Sequence, residues 1–212
     1  NPLQAIMLHL DAIREHVDRK RRRNLEFVVE GLQRIARIVS RLLGLHHSER
    51  KSEDVDLNGL VDDVMGLVHN QLTINGTEVR LSLAEGLPRA TGDAEQLHHV
   101  FLNLILNAAG GMEGGGILTV SSFAEEAFVC VEVTDTGPGI DEESLPYIFE
   151  PFFSTKGRAG TGLGLFVSHA IVSDHGGKVE VRSRVGEGTS IKVMLPAGGA
   201  KGAKGGKWPP EN

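Results

Sequence analysis

The segment Val131-Glu132-Val133-Thr134-Asp135-Thr136-Gly137-Pro138-Gly139-Ile140 carries the most structural information in the chain. It places an aspartate at the end of a strand and follows it with two glycines. Glycine has no Cβ, so a flat ring can approach the backbone there while the carboxylate accepts a hydrogen from an exocyclic amine. A plain Asp/Gly turn has the same composition, so the neighbouring segments must decide between the two.

Upstream, apolar residues Leu97, Val100, Phe101, Leu104 and Ala108 mark the buried stripe of a helix over 94–112, with Asp93 and Gln96 spaced as in a capping box. His99, Asn103 and Asn107 share a second stripe at spacing four. An Asn carbonyl is a hard oxygen ligand of the kind Mg²⁺ accepts beside phosphates and water. Hydrogen bonding to nearby backbone groups is the alternative use of such amides. Downstream, Gly157-Arg158-Ala159-Gly160-Thr161-Gly162-Leu163-Gly164-Leu165 runs into a helix expected over 162–175, whose free N–H groups suit phosphate. No Gly-Lys-Ser/Thr closes this loop and no strand precedes it, so it is neither a Walker A loop nor a dinucleotide fingerprint. Lys156 and Arg158 can add charge-assisted bonds to phosphate, or serve as solvated loop charges.

Strands are expected at 77–83, at 117–123 and 127–134 across a Glu125-Glu126 turn, and at 178–184 and 189–195 across Gly186-Glu187-Gly188. A helix with Leu57, Leu60, Val61, Val64, Leu67 and Val68 on one stripe follows a cap at Asp56. Helices alternating with antiparallel strands predict an α/β sandwich of one mixed sheet under a helical layer. Before it, the stripes Leu3, Ile6, Leu10, Ile13, Val17 and Leu25, Val28, Leu32, Ile35, Val39, Leu42 predict an antiparallel helical hairpin. A lone hairpin leaves apolar surface exposed, and two of them in a four-helix bundle cover it, so a homodimer is expected. The chain thus reads as α+β: a hairpin over 1–47, a linker over 48–56, a sandwich domain over 57–196 and a flexible Gly/Lys tail over 197–212.

Composition narrows the function classes. The 212 residues carry a formal net charge of -6, with 40% hydrophobic and 24% charged residues, an ordinary globular balance that argues against a general nucleic-acid binder. The basic run Arg19 to Arg23 reads as a solvated hairpin tip. A single cysteine, Cys130, excludes an internal disulfide and suits a reducing, cytoplasmic setting. No apolar run is long enough to span a bilayer, so no membrane contact is expected of this segment.

Taken in order, these pieces resemble the catalytic and ATP-binding domain of bacterial sensor histidine kinases. Asn103-Leu104-Ile105-Leu106-Asn107-Ala108 looks like the N box and Asp135-Thr136-Gly137-Pro138-Gly139 like the first glycine box. Phe149-Glu150-Pro151-Phe152-Phe153 looks like the F box, and Gly160-Thr161-Gly162-Leu163-Gly164-Leu165 like the second glycine box. Gly186-Glu187-Gly188-Thr189 resembles the closing element on the last strand pair. The resemblance implies the Bergerat (GHKL) sandwich with a short, nitrogen-regulation-type lid, ATP and Mg²⁺ as cofactors, and a response-regulator receiver domain as partner. It implies Asn107 as the Mg²⁺ ligand, Asn103 on the phosphate side, and Asp135 at the adenine amine. Gly137, Gly139 and Ile140 would make room for the purine, backed by Thr189. Phe153, Lys156, Arg158, Gly160, Thr161, Gly162, Leu163 and Gly164 would serve the lid and phosphates. Asn103, Asn107 and Lys156 are the candidate catalytic residues.

Two departures stand out. Family members usually carry a charged residue three positions after the second Asn, where this chain has Gly110. Asn1-Pro2-Leu3 looks like the end of an H box whose phosphoacceptor His would fall just before residue 1. None of the nine histidines stands in as a substitute on sequence grounds. Rival readings are a non-enzymatic nucleotide-sensing dimerisation module and another GHKL ATPase. Against the gyrase-like and Hsp90-like ATPases stands Asn103, where those machines place a Glu base.

Overall fold

The computed structural model describes residues 53–112, 114–154 and 162–198. The expected hairpin, most of the linker and the tail from 199 onward lie outside the described residues. Those described fall in two units, one of 53–145 with 168–198 and a second holding 146–154 and 162–167.

The larger unit begins with β1 (Glu53–Val55) and α1 (Leu57–Ile74). Asp56 caps α1, its carboxylate accepting the N–H groups of Asn58 and Gly59 at 3.1 and 3.2 Å. Leu57, Leu60, Val61, Val64, Met65, Val68 and Leu72 form its buried stripe. Then come β2 (Thr77–Leu83), β3 (Ala90–Gly92), α2 (Ala94–Gly111), β4 (Gly116–Glu125) and β5 (Phe128–Asp135). Helix α3 (Gly164–Asp174), whose first turn belongs to the second unit, leads to β6 (Lys178–Arg184) and β7 (Gly188–Pro196).

Five strands form one mixed sheet in the order β2-β4-β5-β7-β6, with β2 parallel to β4 and the other neighbours antiparallel. The period of two divides its faces. Leu118, Val120, Val129, Val131, Val133, Val193 and Leu195 are buried on the face that receives the helices, and fully buried Phe101, Leu97, Val61 and Val64 fill the layer between. Burying a side chain of this size contributes about 1.5–3 kcal/mol. The opposite face carries a polar ladder beside Phe123, Cys130 and Met194. There Lys192 bonds Glu125 and Glu180 at 3.0 and 2.8 Å, and Ser190 links Thr134 to Glu132. Cys130 is buried beside this ladder, and desolvation, then the Glu125 charge, pushes its thiol up to about 11.

The sandwich is the expected one, with local differences. β1 and β3 pair as a separate two-stranded sheet; three-residue strands are too short for a periodicity to show. The β4–β5 turn sits one residue later than expected, because Glu125 stays in the ladder opposite Phe128 and Glu126 takes the positive φ of 53°. β7 starts at Gly188, which pairs with Arg184. Helix α3 starts at Gly164 and not at Gly162, whose φ of 65° is left-handed. The capping box at α2 is half closed. Asp93 accepts the Gln96 N–H at 3.1 Å, but its own N–H donates to His175 Nε2 at 2.9 Å and not to the Gln96 side chain.

A small polar latch closes the far end of the sheet. Ser122, 4% exposed, donates to Asn58 Oδ1 at 2.7 Å and accepts the Ala84 N–H at 3.0 Å, while Asn58 Nδ2 donates to the Ala84 carbonyl at 2.9 Å. Ser122→Ala strands Asn58 Oδ1, while the Ala84 N–H keeps its bond to the Ser122 carbonyl at 3.3 Å, and chemical denaturation should show a loss of about 1–3 kcal/mol. His169 on α3 is half-buried, and desolvation lowers its pKa from 6.5. The unfolded chain therefore takes up this proton more readily, so stability is lost as pH falls below about 6.5. Thermal melts at pH 7.5 and 5.5 should show a smaller acid-side drop for His169→Gln than for the parent chain.

Candidate functional site

The site is assembled where β5 ends. Asp135 and Thr189 are register partners on β5 and β7, so their side chains leave the same face of the sheet. Asp135 is half-buried and its Oδ1 accepts the Gly137 N–H at 2.8 Å, which bends the chain back under the carboxylate. A Cβ on Gly137 would stand 2.8 Å from that oxygen and 3.3 Å from the Gly111 carbonyl at the end of α2. A side chain at this position would push the Asp135 carboxylate off the turn.

The turn is then docked on the β6–β7 hairpin. Gly139, at φ 72°, lies so close to Arg184 that a Cβ would overlap the Arg184 carbonyl oxygen, and one on Gly188 would overlap the Asp135 carbonyl oxygen. Gly186 N–H donates to the Pro138 carbonyl at 2.7 Å. Ile140 N–H donates to Ser183 Oγ at 2.8 Å. Just beyond, Ser144 donates to both carboxylate oxygens of Asp141, and these bonds hold the Asp141 carboxyl below its usual range.

Helix α2 supplies the other wall. It packs on β4 and β5 through Leu97, Phe101, Leu104 and Ala108, which leaves Asn103 and Asn107 half-buried one turn apart. Asn103 Nδ2 donates to Ser168 Oγ at 2.9 Å. That partner is a side chain of α3 and not the neighbouring backbone group that was the alternative for this amide. The bond commits the amide nitrogen and fixes which way its carbonyl oxygen faces.

Of the expected residues, the structure brings Asp135, Gly137, Gly139, Ile140 and Thr189 together in one cluster and sets Asn103 and Asn107 on the helix beside it. Phe153, Gly162, Leu163 and Gly164 belong wholly to the second unit. There Phe152 N–H donates to the Gly162 carbonyl at 2.9 Å, the Tyr147 and Phe153 rings lie 6.1 Å apart, and Leu163 accepts the Val167 N–H. Lys156, Arg158, Gly160 and Thr161 lie outside the described residues. Sequence reasoning missed Ser183 and Ser168, since a lone serine in a charged strand or an apolar helix carries no pattern. A groove of about 610 Å³ also opens between β1 and the first turns of α1 and α2, lined by Asp56, Asp63, Glu95, His98 and His99 among others. It contains none of the expected site residues.

The donor set fits a magnesium-bound purine nucleotide. A carboxylate and a hydroxyl at neighbouring strand ends, over a backbone stripped of Cβ atoms, match a flat base with an amine. Two Asn side chains one helical turn apart offer the neutral hard oxygens that suit Mg²⁺. Among the described residues no group of three or more His, Cys, Asp and Glu is placed to hold a metal, and no helix is long and apolar enough to cross a membrane.

Comparison with known proteins agrees with this fold. Residues 92–199 match the family described as histidine kinase-, DNA gyrase B-, and HSP90-like ATPase. Sensor histidine kinase ZraS of Escherichia coli strain K12 is 38% identical over 164 residues, 77% of this chain and 35% of its own length. The chain spans about a third of the curated relatives it matches. The nucleotide-free catalytic domain of histidine kinase ThkA superposes with a TM-score of 0.63 at 30% identity, covering 69% of this chain and 98% of that one. ThkA in complex with response regulator protein TrrA gives 0.64 at 25% identity, covering 95% and 59%. This chain belongs to the histidine kinase-, DNA gyrase B- and HSP90-like ATPase family, and its domain is that of a sensor histidine kinase.

Proposed function

We propose that this chain binds Mg-ATP at the Asp135 cluster and, within its whole protein, serves as a protein-histidine kinase. The observation that carries the reading is the pairing of Asp135 with Thr189 across β5 and β7, above a turn whose glycines leave no side chain in the way. Asp135 accepts the adenine amine, Thr189 backs the ring, and Gly137, Gly139 and Ile140 line its edge with backbone. Asn107, with Asn103 beside it, faces the phosphates and holds Mg²⁺ through its carbonyl oxygen. When bound, the metal neutralises phosphate charge. Phosphoryl transfer asks little covalent chemistry of a protein, so positioning and charge neutralisation carry the catalysis. In this reading Phe153, Gly162, Leu163 and Gly164 serve the lid, with Gly160 and Thr161, while Lys156 and Arg158 contact the phosphates.

In the whole protein the γ-phosphoryl group goes to a histidine of the dimerisation hairpin and then to an aspartate of a response-regulator receiver domain. The ATPase family match supports the first half of this reading. The second rests on the relatedness to sensor histidine kinases, of which ThkA is seen with a response regulator. The working unit proposed is a homodimer joined through the 1–47 hairpin.

Calorimetry with ATP and ADP, with and without Mg²⁺, tests the site. Mg-ATP should bind, and Asp135→Ala should weaken binding about 10- to 100-fold, the value of a hydrogen bond to a charged group at about 1.5–3 kcal/mol. Asn107→Ala should remove the magnesium dependence while the fold survives. Nucleotide binding that is indifferent to both substitutions would overturn the assignment.

A further inference from the structure

The groove beside β1 plays no part in the proposed nucleotide site, and its chemistry points elsewhere. Glu53, Asp54, Asp56, Asp63 and Glu95 line it, with no lysine or arginine among its described lining residues. Among the described residues none of these five carboxylates forms an ion pair; the pairs present lie on β2, on the far face of the sheet and at the β6–β7 turn. Val55 and Leu60, both buried, add apolar surface between the acids. Its volume of about 610 Å³ lies within the range of about 300–1,000 Å³ usual for ligand clefts.

The chain itself passes the rim of this groove after β7. Ala197 bridges to Ala90 of β3, and Gly198 N–H donates to the Arg89 carbonyl at 2.6 Å. A Cβ on Gly198 would stand 2.9 Å from Asp54 Oδ1, so the last described residue lies against one of the five carboxylates. Residues 199–212 then carry Lys201, Lys204 and Lys207, followed by Trp208, with Glu211 as their one acid. At a spacing of three residues, successive lysines of an extended chain stand about 10 Å apart, far enough for each to meet its own carboxylate. From the exit point and the opposite charge we infer that residues 199–212 occupy the acidic groove of their own chain. The lysines pair with Asp54, Asp63 and Glu95, and the Trp208 ring covers the apolar surface of Val55 and Leu60. Exposed ion pairs are weak singly. A tether that starts at the rim makes the contact intramolecular, at an effective concentration on the order of mM, so weak pairs suffice. This inference does not rest on the nucleotide site.

Trp208 reports on this contact directly, because the chain has no other tryptophan. In the intact chain its fluorescence should be blue-shifted and shielded from acrylamide, a neutral quencher. Asp63→Lys together with Glu95→Lys should shift the emission to the red and open the ring to the quencher. Lys201→Glu, Lys204→Glu and Lys207→Glu together should do the same, and they leave every described residue unchanged, so a folding defect cannot account for the loss. Combining the two sets places opposite charges face to face again and should bring shielding back, as a mutant cycle reads. A Trp208 already open to acrylamide in the parent chain overturns the inference, and so does shielding that neither set of substitutions disturbs. Shielding that falls as the protein is diluted overturns it too, and gives the groove to the tail of a second copy.

Discussion

Backbone meets backbone where the Asp135–Ile140 turn rests on the β6–β7 hairpin, and the candidate site depends on that contact. Gly139 lies against the Arg184 carbonyl and Gly188 against that of Asp135, at separations no Cβ would permit. The contact is tied by Gly186 N–H on Pro138 and Ile140 N–H on Ser183. Asp135 and Thr189 can face the same space only because β5 and β7 are neighbours in the sheet, although β6, α3 and the whole second unit separate them in sequence. Such a site is a product of long-range pairing, and it cannot form before the sheet does.

The same sheet assigns its two faces different duties. Valines and leucines on one face receive the helices, and the other carries the Glu125–Lys192–Glu180 bridges with Ser190 between Thr134 and Glu132. A two-layer sandwich needs a polar outer face, and the bridges there fill that need without entering the site. Asp135 and Thr189 continue the inner rows to their last positions. Where the apolar row runs out, polar side chains stand at the edge of the core, partly desolvated and still reachable. Asn103 repeats the pattern on α2, half-buried and bonded to Ser168.

Much of this was legible beforehand, for reasons that can be named. Helices α1 and α2 carry long stripes of spacing three and four and unambiguous aspartate caps. β2, β4, β5, β6 and β7 fall within a residue or two of their expected bounds because turn glycines and glutamates flank them. Asn103, Asn107 and Asp135 stood out because ordered motifs hold them. What escaped was short or solitary. β1 and β3 have three residues each, His175 completes the Asp93 cap from a distant helix, and Ser183 matters through partners that no local pattern announces. The left-handed Gly162 shows how a glycine that resembles a helix start can stand just before one instead, its carbonyl held by Phe152.

The account stands on nucleotide meeting the chain at the Asp135 turn and not at the acidic groove beside β1. Backbone amide chemical-shift mapping during a Mg-ATP titration reads that distinction residue by residue. The account predicts shifts concentrated at Gly137, Ile140, Ser183 and Thr189, with the side-chain amides of Asn103 and Asn107 moving in step. Shifts confined to Asp56, Asp63, Glu95 and His98, with the Asp135 turn unmoved, would contradict it.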